Sequence, residues 1–154
     1  MLVIGHRGAS VAAAENTVQA FVLADAMGAD GVELDVRLAP DGRLLVKHDP
    51  LPTDLDDLEG YPELREVLAV CGEMLVNVEI KNSADELGRD AVEAVVELTI
   101  AEMRSHGLAE RWIISSFDWD TIERCRAIAP DIATAYLVME ATAGVIARTA
   151  SAGH

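Results

Sequence analysis

The alternation of two kinds of apolar segment constrains this chain more than any other feature. Short runs rich in β-branched residues occur at Leu2–Ile4, Gly31–Leu38, Leu44–Lys47, Leu75–Ile80, Trp112–Ser115 and Ile132–Val138. Between several of them lie longer stretches whose apolar residues recur at helical spacing. Thr17–Met27 places Val18, Phe21, Val22 and Ala26 on one face, and Asp85–Ser105 places Leu87, Ala91, Ala94, Val95 and Leu98 on one stripe. Further helices are predicted at Pro62–Val70, Asp120–Ala129 and Ala141–Ala150. Parallel strands need crossovers of about a dozen residues, and helices supply them, so this order points to a parallel α/β sheet or barrel.

Local signals refine that pattern. Asn16 is a suitable N-cap for the first helix, with Gln19 three residues on in a capping-box arrangement and Gly28 as the stop. One connection departs from the alternation. Only a Pro40-Asp41-Gly42 turn separates Val36 from Leu44, which predicts a hairpin over Gly31–Asp49. The stretch His48–Tyr61, rich in Pro and Asp, reads as a loop. No repeat or linker divides the 154 residues, so one domain is expected over 1–154.

Composition removes several classes of function. With 51% hydrophobic and 25% charged residues the chain has the balance of a folded domain, not a disordered one. Twelve Lys and Arg stand against 27 Asp and Glu, a net charge of −15 that repels nucleic acid and anionic membrane. Cys71 and Cys125 lie in apolar contexts without a paired spacing, so both read as buried thiols of a reduced protein. The opening MLVIGHRG lacks the apolar core of a signal peptide. No apolar run reaches the roughly 18 residues of a membrane span. A cytoplasmic location without stable membrane insertion is the expectation.

The chemistry is concentrated at strand ends, where parallel sheets and barrels bind ligands. Leu2-Val3-Ile4 leads into His6 and Arg7, and Leu44-Leu45-Val46-Lys47 leads into His48 and Asp49. Glu33 and Asp35 are spaced by two and share one side of a strand, and Asn77, Glu79 and Lys81 repeat that spacing. A strand carboxylate by itself ordinarily marks a solvent face. His106, at a helix end, reads as a surface residue beside the helix dipole, and His154 is given no role. Two histidines and three in-strand carboxylates together are a different matter. Glu33, Asp35 and Glu79 suit a hard divalent cation such as Ca²⁺ or Mg²⁺. His6 and His48 suit paired proton transfer, and Arg7 suits an anionic oxygen. These residue types point to metal-assisted cleavage of an anionic ester, most simply a phosphodiester.

The ordered set His6-Arg7-Gly8, Glu15-Asn16-Thr17, Gly28-Ala29-Asp30, Val32-Glu33-Leu34-Asp35-Val36, Asp41-Gly42, His48-Asp49 and Val78-Glu79-Ile80-Lys81 resembles the glycerophosphodiester phosphodiesterase family, and Ser115-Ser116-Phe117 and Tyr136-Leu137 match its later strands. The resemblance implies a (β/α)₈ TIM barrel of the phosphatidylinositol-phospholipase-C-like type that binds one divalent metal, Ca²⁺ or Mg²⁺. It implies His6 and His48 as general acid and base, Glu33, Asp35 and Glu79 as metal ligands, and Arg7 and Lys81 at the substrate. It implies a structural and capping role for Asn16. It also implies hydrolysis of a glycerophosphodiester to glycerol 3-phosphate and an alcohol, and two barrel strands within Gly31–Asp49 in place of the hairpin.

Two departures accompany it. The stretch from His48 to Glu79 is short where the family often carries an insertion that encloses the glycerol end. The family's last strand motifs are absent, so the resemblance implies the N-terminal part of an incomplete, C-terminally truncated barrel. Six strand-like segments stand where a full barrel of about 250 residues has eight. Open sheet edges make an edge-paired oligomer one expectation. Two other functions fit the same pattern: a non-catalytic fragment that serves as a binding or assembly module, and a lipid phosphodiesterase of the sphingomyelinase-D or phospholipase-C-like kind.

Overall fold

Strand and helix alternate along the chain in a computed structural model that describes residues 1–82, 89–107 and 109–154. The strands are β1 (Ile4–His6), β2 (Gly31–Leu38), β3 (Leu44–Val46), β4 (Leu75–Ile80), β5 (Trp112–Ser116) and β6 (Ala133–Tyr136). The helices are α1 (Val18–Ala26), α2 (Leu64–Val70), α3 (Arg89–Ser105), α4 (Trp119–Ile128) and α5 (Ala143–Ala152). Five strands run parallel in the order β1-β2-β4-β5-β6, and β3 pairs antiparallel with β2. This is the α/β architecture of a partial TIM barrel.

Alternation along the strands separates the two sheet faces. Val32, Leu34 and Val36 of β2, Val76, Val78 and Ile80 of β4, and Trp112 and Ile114 of β5 form one apolar face. Phe21 and Ala24 of α1, Leu64, Val67 and Leu68 of α2, Val95, Val96, Ile100 and Met103 of α3, and Cys125 of α4 cover it. Both cysteines are buried and unbridged, and burial pushes each thiol up to about 12, which keeps them protonated. The opposite face carries Glu33, Asp35, Asn77, Glu79 and Ser115. That polar face is what the fold places at the centre of a barrel. No helix among the described residues is long and apolar enough to cross a membrane.

Several local expectations change. The first strand extends to His6, so this histidine stands within β1 rather than after it. Thr17, not Asn16, caps α1, its hydroxyl accepting from the Ala20 amide at 3.2 Å. Asn16 is held in the left-handed region at φ 56°, where a capping residue does not sit, and its side chain goes elsewhere. The buried face of α1 is Ala20, Phe21 and Ala24, and Val22 is exposed. On α3 Val95 is buried and Leu98 exposed, while Asp85, Leu87 and the side chain of Ala91 lie outside the described residues. The hairpin read from the Pro-Asp-Gly turn is present, with Val36 opposite Val46 and Leu38 opposite Leu44. It does not supply two parallel barrel strands. β1 pairs with the start of β2, through Glu33, and β3 with its end, so one edge of β2 serves both in succession.

A buried polar network ties the strand ends to α4. The Ser116 hydroxyl donates to the Ile80 carbonyl at 2.9 Å, and the Asn82 amide donates to Thr121 Oγ1 at 2.6 Å. Asp118 caps α4 by accepting from the Thr121 amide and hydroxyl, each at 2.7 Å. These bonds fix the segments that follow β4 and β5.

Candidate active site

The polar face is layered, because parallel strands in register place equivalent side chains side by side. Glu33 neighbours Asn77, and one layer further on Asp35 neighbours Glu79, which neighbours Ser115. Arg37 and Lys81 each stand two residues beyond Asp35 and Glu79, so a cationic layer tops the acidic one at the carboxyl ends of the strands. Lys81 Nζ also lies 5.9 Å from the centre of the Phe117 ring.

Glu33, Asp35 and Glu79 are all buried, and each offers an oxygen within 4.8 Å of the others. Lys81 Nζ lies 2.6 Å from Glu79 Oε1 and 3.2 Å from Asp35 Oδ1. Arg7 Nε lies 3.2 Å from Asp35 Oδ2. Among the described residues, Asp35 Oδ1 and Glu79 Oε1 face only the Lys81 ammonium, and Glu33 Oε1 is buried without a hydrogen-bond partner. Three buried carboxylates sharing one ammonium and one guanidinium carry excess negative charge, and the unpartnered Glu33 oxygen is costly unless a further cation satisfies it. A Ca²⁺ or Mg²⁺ ion holds oxygens at roughly 2.0–2.6 Å, so its ligand oxygens lie within about 5 Å of one another. The spacing found here fits that requirement, and an all-oxygen donor set is the chemistry such ions prefer. Burial, then the nearby Asp35 charge, pushes Glu33 up to about 7, although the Arg7 amide donates to its Oε2 at 3.1 Å.

Neighbouring residues hold these carboxylates in place. Asn16 Nδ2 donates to Asp35 Oδ2 at 2.8 Å, and Asn16 Oδ1 accepts the Asp35 amide at 3.4 Å. Arg7 takes a left-handed backbone at φ 58° and is gripped by Glu15, with Nη1 2.9 Å from Glu15 Oε1. A non-glycine residue in that conformation persists only where its surroundings hold it.

The two histidines stand at different edges of the cluster. His6 Nε2 lies 3.7 Å from Glu33 Oε2, with most of the ring exposed. His48 follows β3, and its carbonyl accepts from Arg37 Nε at 2.9 Å and Nη2 at 2.7 Å. The Lys47 amide, beside it, donates to the Asp35 carbonyl at 3.0 Å, which anchors this segment to the acidic strand. His48 Nδ1 stands 2.9 Å from Asp49 Oδ1. That hydrogen bond, followed by the Lys47 charge, holds the Asp49 carboxyl below its ordinary value. An ionised carboxylate only accepts, so Nδ1 carries the proton and Nε2 is the nitrogen able to take one.

The structure therefore joins Arg7, Glu33, Asp35, Glu79 and Lys81 directly, with His6 against Glu33. It links His48 to the same strand through backbone bonds. Sequence reasoning gave Asn16 a structural and capping role without its hold on Asp35, and it missed the positioning role of Arg37. Arg37 had a signal in the period of two that runs Glu33, Asp35, Arg37. Asn16 had none beyond its motif, since its bond to Asp35 spans 19 residues.

The chain resembles known proteins in both sequence and fold. The model of the glycerophosphoryl diester phosphodiesterase family matches residues 6–60, which include His6, Arg7, Glu33, Asp35 and His48. The chain is similar to a glycerophosphodiester phosphodiesterase of Caldanaerobacter subterraneus subsp. tengcongensis, 33% identical over 160 residues that cover 85% of this chain and 64% of that protein. It is also similar to the uncharacterized protein YqiK of Bacillus subtilis, 31% identical over 90% of this chain and 67% of that one. It thus spans about two thirds of the length of both curated relatives. Among solved structures it resembles an Oleispira antarctica phosphodiesterase in complex with the product sn-glycerol-3-phosphate, with TM-score 0.86, 24% identity and coverage of 99% of this chain and 72% of that one. A glycerophosphodiester phosphodiesterase of Thermotoga maritima matches with TM-score 0.76 and 26% identity, over 98% of this chain and 70% of that one.

Proposed function

The chain belongs to the glycerophosphodiester phosphodiesterase family, and from that membership we propose that it hydrolyses glycerophosphodiesters to glycerol 3-phosphate and an alcohol. The observation that carries this reading is the buried Glu33-Asp35-Glu79 cluster, which stands between a histidine and two cations and holds an unpartnered Glu33 oxygen. In this reading residues 1–154 are the N-terminal part of one such domain, and Ca²⁺ or Mg²⁺ is held by Glu33, Asp35 and Glu79. The ion would supply a positive field for the phosphate oxygens and lower the proton affinity of an attacking oxygen.

The chain's own residues do the rest. His48, with Nδ1–H committed to Asp49, accepts the proton of the attacking water at Nε2. His6, exposed at the end of β1, gives a proton to the leaving alcohol oxygen as the new P–O bond forms and the old one breaks. Arg7 and Lys81 meet the negative charge of the phosphate, and Glu15 keeps the Arg7 guanidinium aimed at the site.

The test is release of glycerol 3-phosphate from a panel of glycerophosphodiesters with Ca²⁺, with Mg²⁺ and with chelator, beside His48→Ala. Metal-dependent release that falls about 10²–10⁴-fold in the variant, with an unchanged circular dichroism spectrum, is the expected result. Equal release by wild type and variant would overturn the assignment.

A further inference from the structure

We propose that the cleft beside the cationic layer is the subsite for the esterified alcohol, and that it selects a small uncharged alcohol over a cationic one. The inference rests on the phosphodiesterase reading and specifies its substrate.

The cleft encloses about 280 Å³ and is bounded by Arg37 and Lys81. Those two residues connect it to the reacting layer from both sides. Lys81 contacts Glu79 and Asp35, and Arg37 holds the carbonyl of His48. A phosphodiester lying over the carboxylate cluster therefore has this cleft next to it. The other walls are Leu38, Pro40, Pro50, Leu51 and Pro52, with the exposed Thr53 at the rim.

The lining decides the chemistry of the occupant. An ammonium or quaternary ammonium group is stabilised by a carboxylate or by an aromatic face. Among the described residues neither lines this cleft, and the charged groups on its walls are the cations Arg37 and Lys81. Proline and leucine walls offer little hydrogen bonding and favour an apolar occupant. The volume falls below the roughly 300–1,000 Å³ of sites that take a whole drug-sized ligand, which suits a group of a few carbons and not a lipid chain. A wider cleft of about 580 Å³, lined by Arg43, Tyr61 and Glu66 among others, contains none of the layered polar residues and does not serve this role.

Two esters of nearly equal size separate the alternatives: sn-glycero-3-phosphopropanol and sn-glycero-3-phosphoethanolamine, which differ by a methyl against an ammonium group. The expected result is a kcat/KM at least fivefold higher for the propanol ester. Thr53→Asp, an exposed change at the rim, should raise kcat/KM for the ethanolamine ester severalfold relative to that for the propanol ester. Equal use of the two esters by wild type, or a preference for ethanolamine, would overturn the proposal. Calorimetric titration of both esters into metal-free protein keeps the test independent of turnover. If neither ester is hydrolysed, the phosphodiesterase reading fails by itself. The cleft is then supported by binding at least fivefold tighter for the propanol ester, and is overturned by equal binding or by none.

Discussion

Asn16 shows how a single side chain can serve the site from outside it. Its amide holds Asp35 at both the carboxylate and the backbone, and its left-handed backbone is what turns it inward. Asn16→Gly keeps that backbone and removes the side chain, so it isolates the hydrogen bonds. In the proposed metal site, where Asp35 would be a ligand, it should weaken Ca²⁺ or Mg²⁺ binding about 10–100-fold by calorimetry, since an outer partner orients such a carboxylate. It should also lower the urea midpoint by the equivalent of about 1–3 kcal/mol, because the buried Asp35 carboxylate loses a donor and its amide loses an acceptor. Glu33 makes a second prediction. Its folded value of about 7 lies above the ordinary 4.5, so the folded chain keeps a proton that the unfolded chain releases between those values. In chelator, stability should therefore fall as pH rises from about 4.5 through 7 and level off above, by on the order of 3 kcal/mol. Glu33→Gln should flatten that window in urea titrations at pH 5, 6, 7 and 8. An unchanged slope in the variant would place the titration elsewhere. In the proposed metal site an ion would have to displace this proton, so affinity should weaken below pH 7. The carboxylates themselves were legible from their spacing of two. Their burial was not, because it depends on which face the helices cover.

At the scale of elements, the link between β1 and α1 is a tight joint beside the site. Gly8 sits at φ +79°, and a Cβ there would come within 2.8 Å of the Ala20 backbone carbon on α1. The Ala9 amide donates to the Ala20 carbonyl at 2.9 Å across the same contact. Gly8→Ala should therefore cost about 1–3 kcal/mol from backbone strain, with further loss as α1 is pushed away. A urea midpoint within error of wild type would show that the joint yields freely. Most strands and helices were readable from period and breakers, yet two details escaped. The buried face of α1 is set by small residues, Ala20 and Ala24, that let the helix approach the sheet, and hydrophobicity by itself ranks Val22 above them. The hairpin was legible in the Pro40-Asp41-Gly42 turn, whose length forbids a crossover, and the family resemblance pointed away from it.

Across the whole molecule, an acidic surface meets an open sheet. β1 and β6 end the strand order, and Leu2, Val3 and Ile4 are 63%, 56% and 44% exposed beside the β1 edge. Like charge of −15 opposes association, and salt screens it without weakening apolar contact. Sedimentation of this 154-residue chain should show a larger oligomer fraction at 0.5 M NaCl than at 0.05 M, and Leu2→Lys should reduce it. A monomer at every salt concentration would show that the edge is already protected. The sequence by itself determined the α/β class, the six strands, the short turn after β2 and the ionisable groups at strand ends. These are local properties of period, breaker and residue type. Tertiary structure alone decided that Asp35, Glu79 and Ser115 share a layer, that Asn16 reaches Asp35 across 19 residues, and that Arg37 and Lys81 close one cleft. Those relations come from strand register and from the packing that selects one sheet face, and neither is encoded within any single segment.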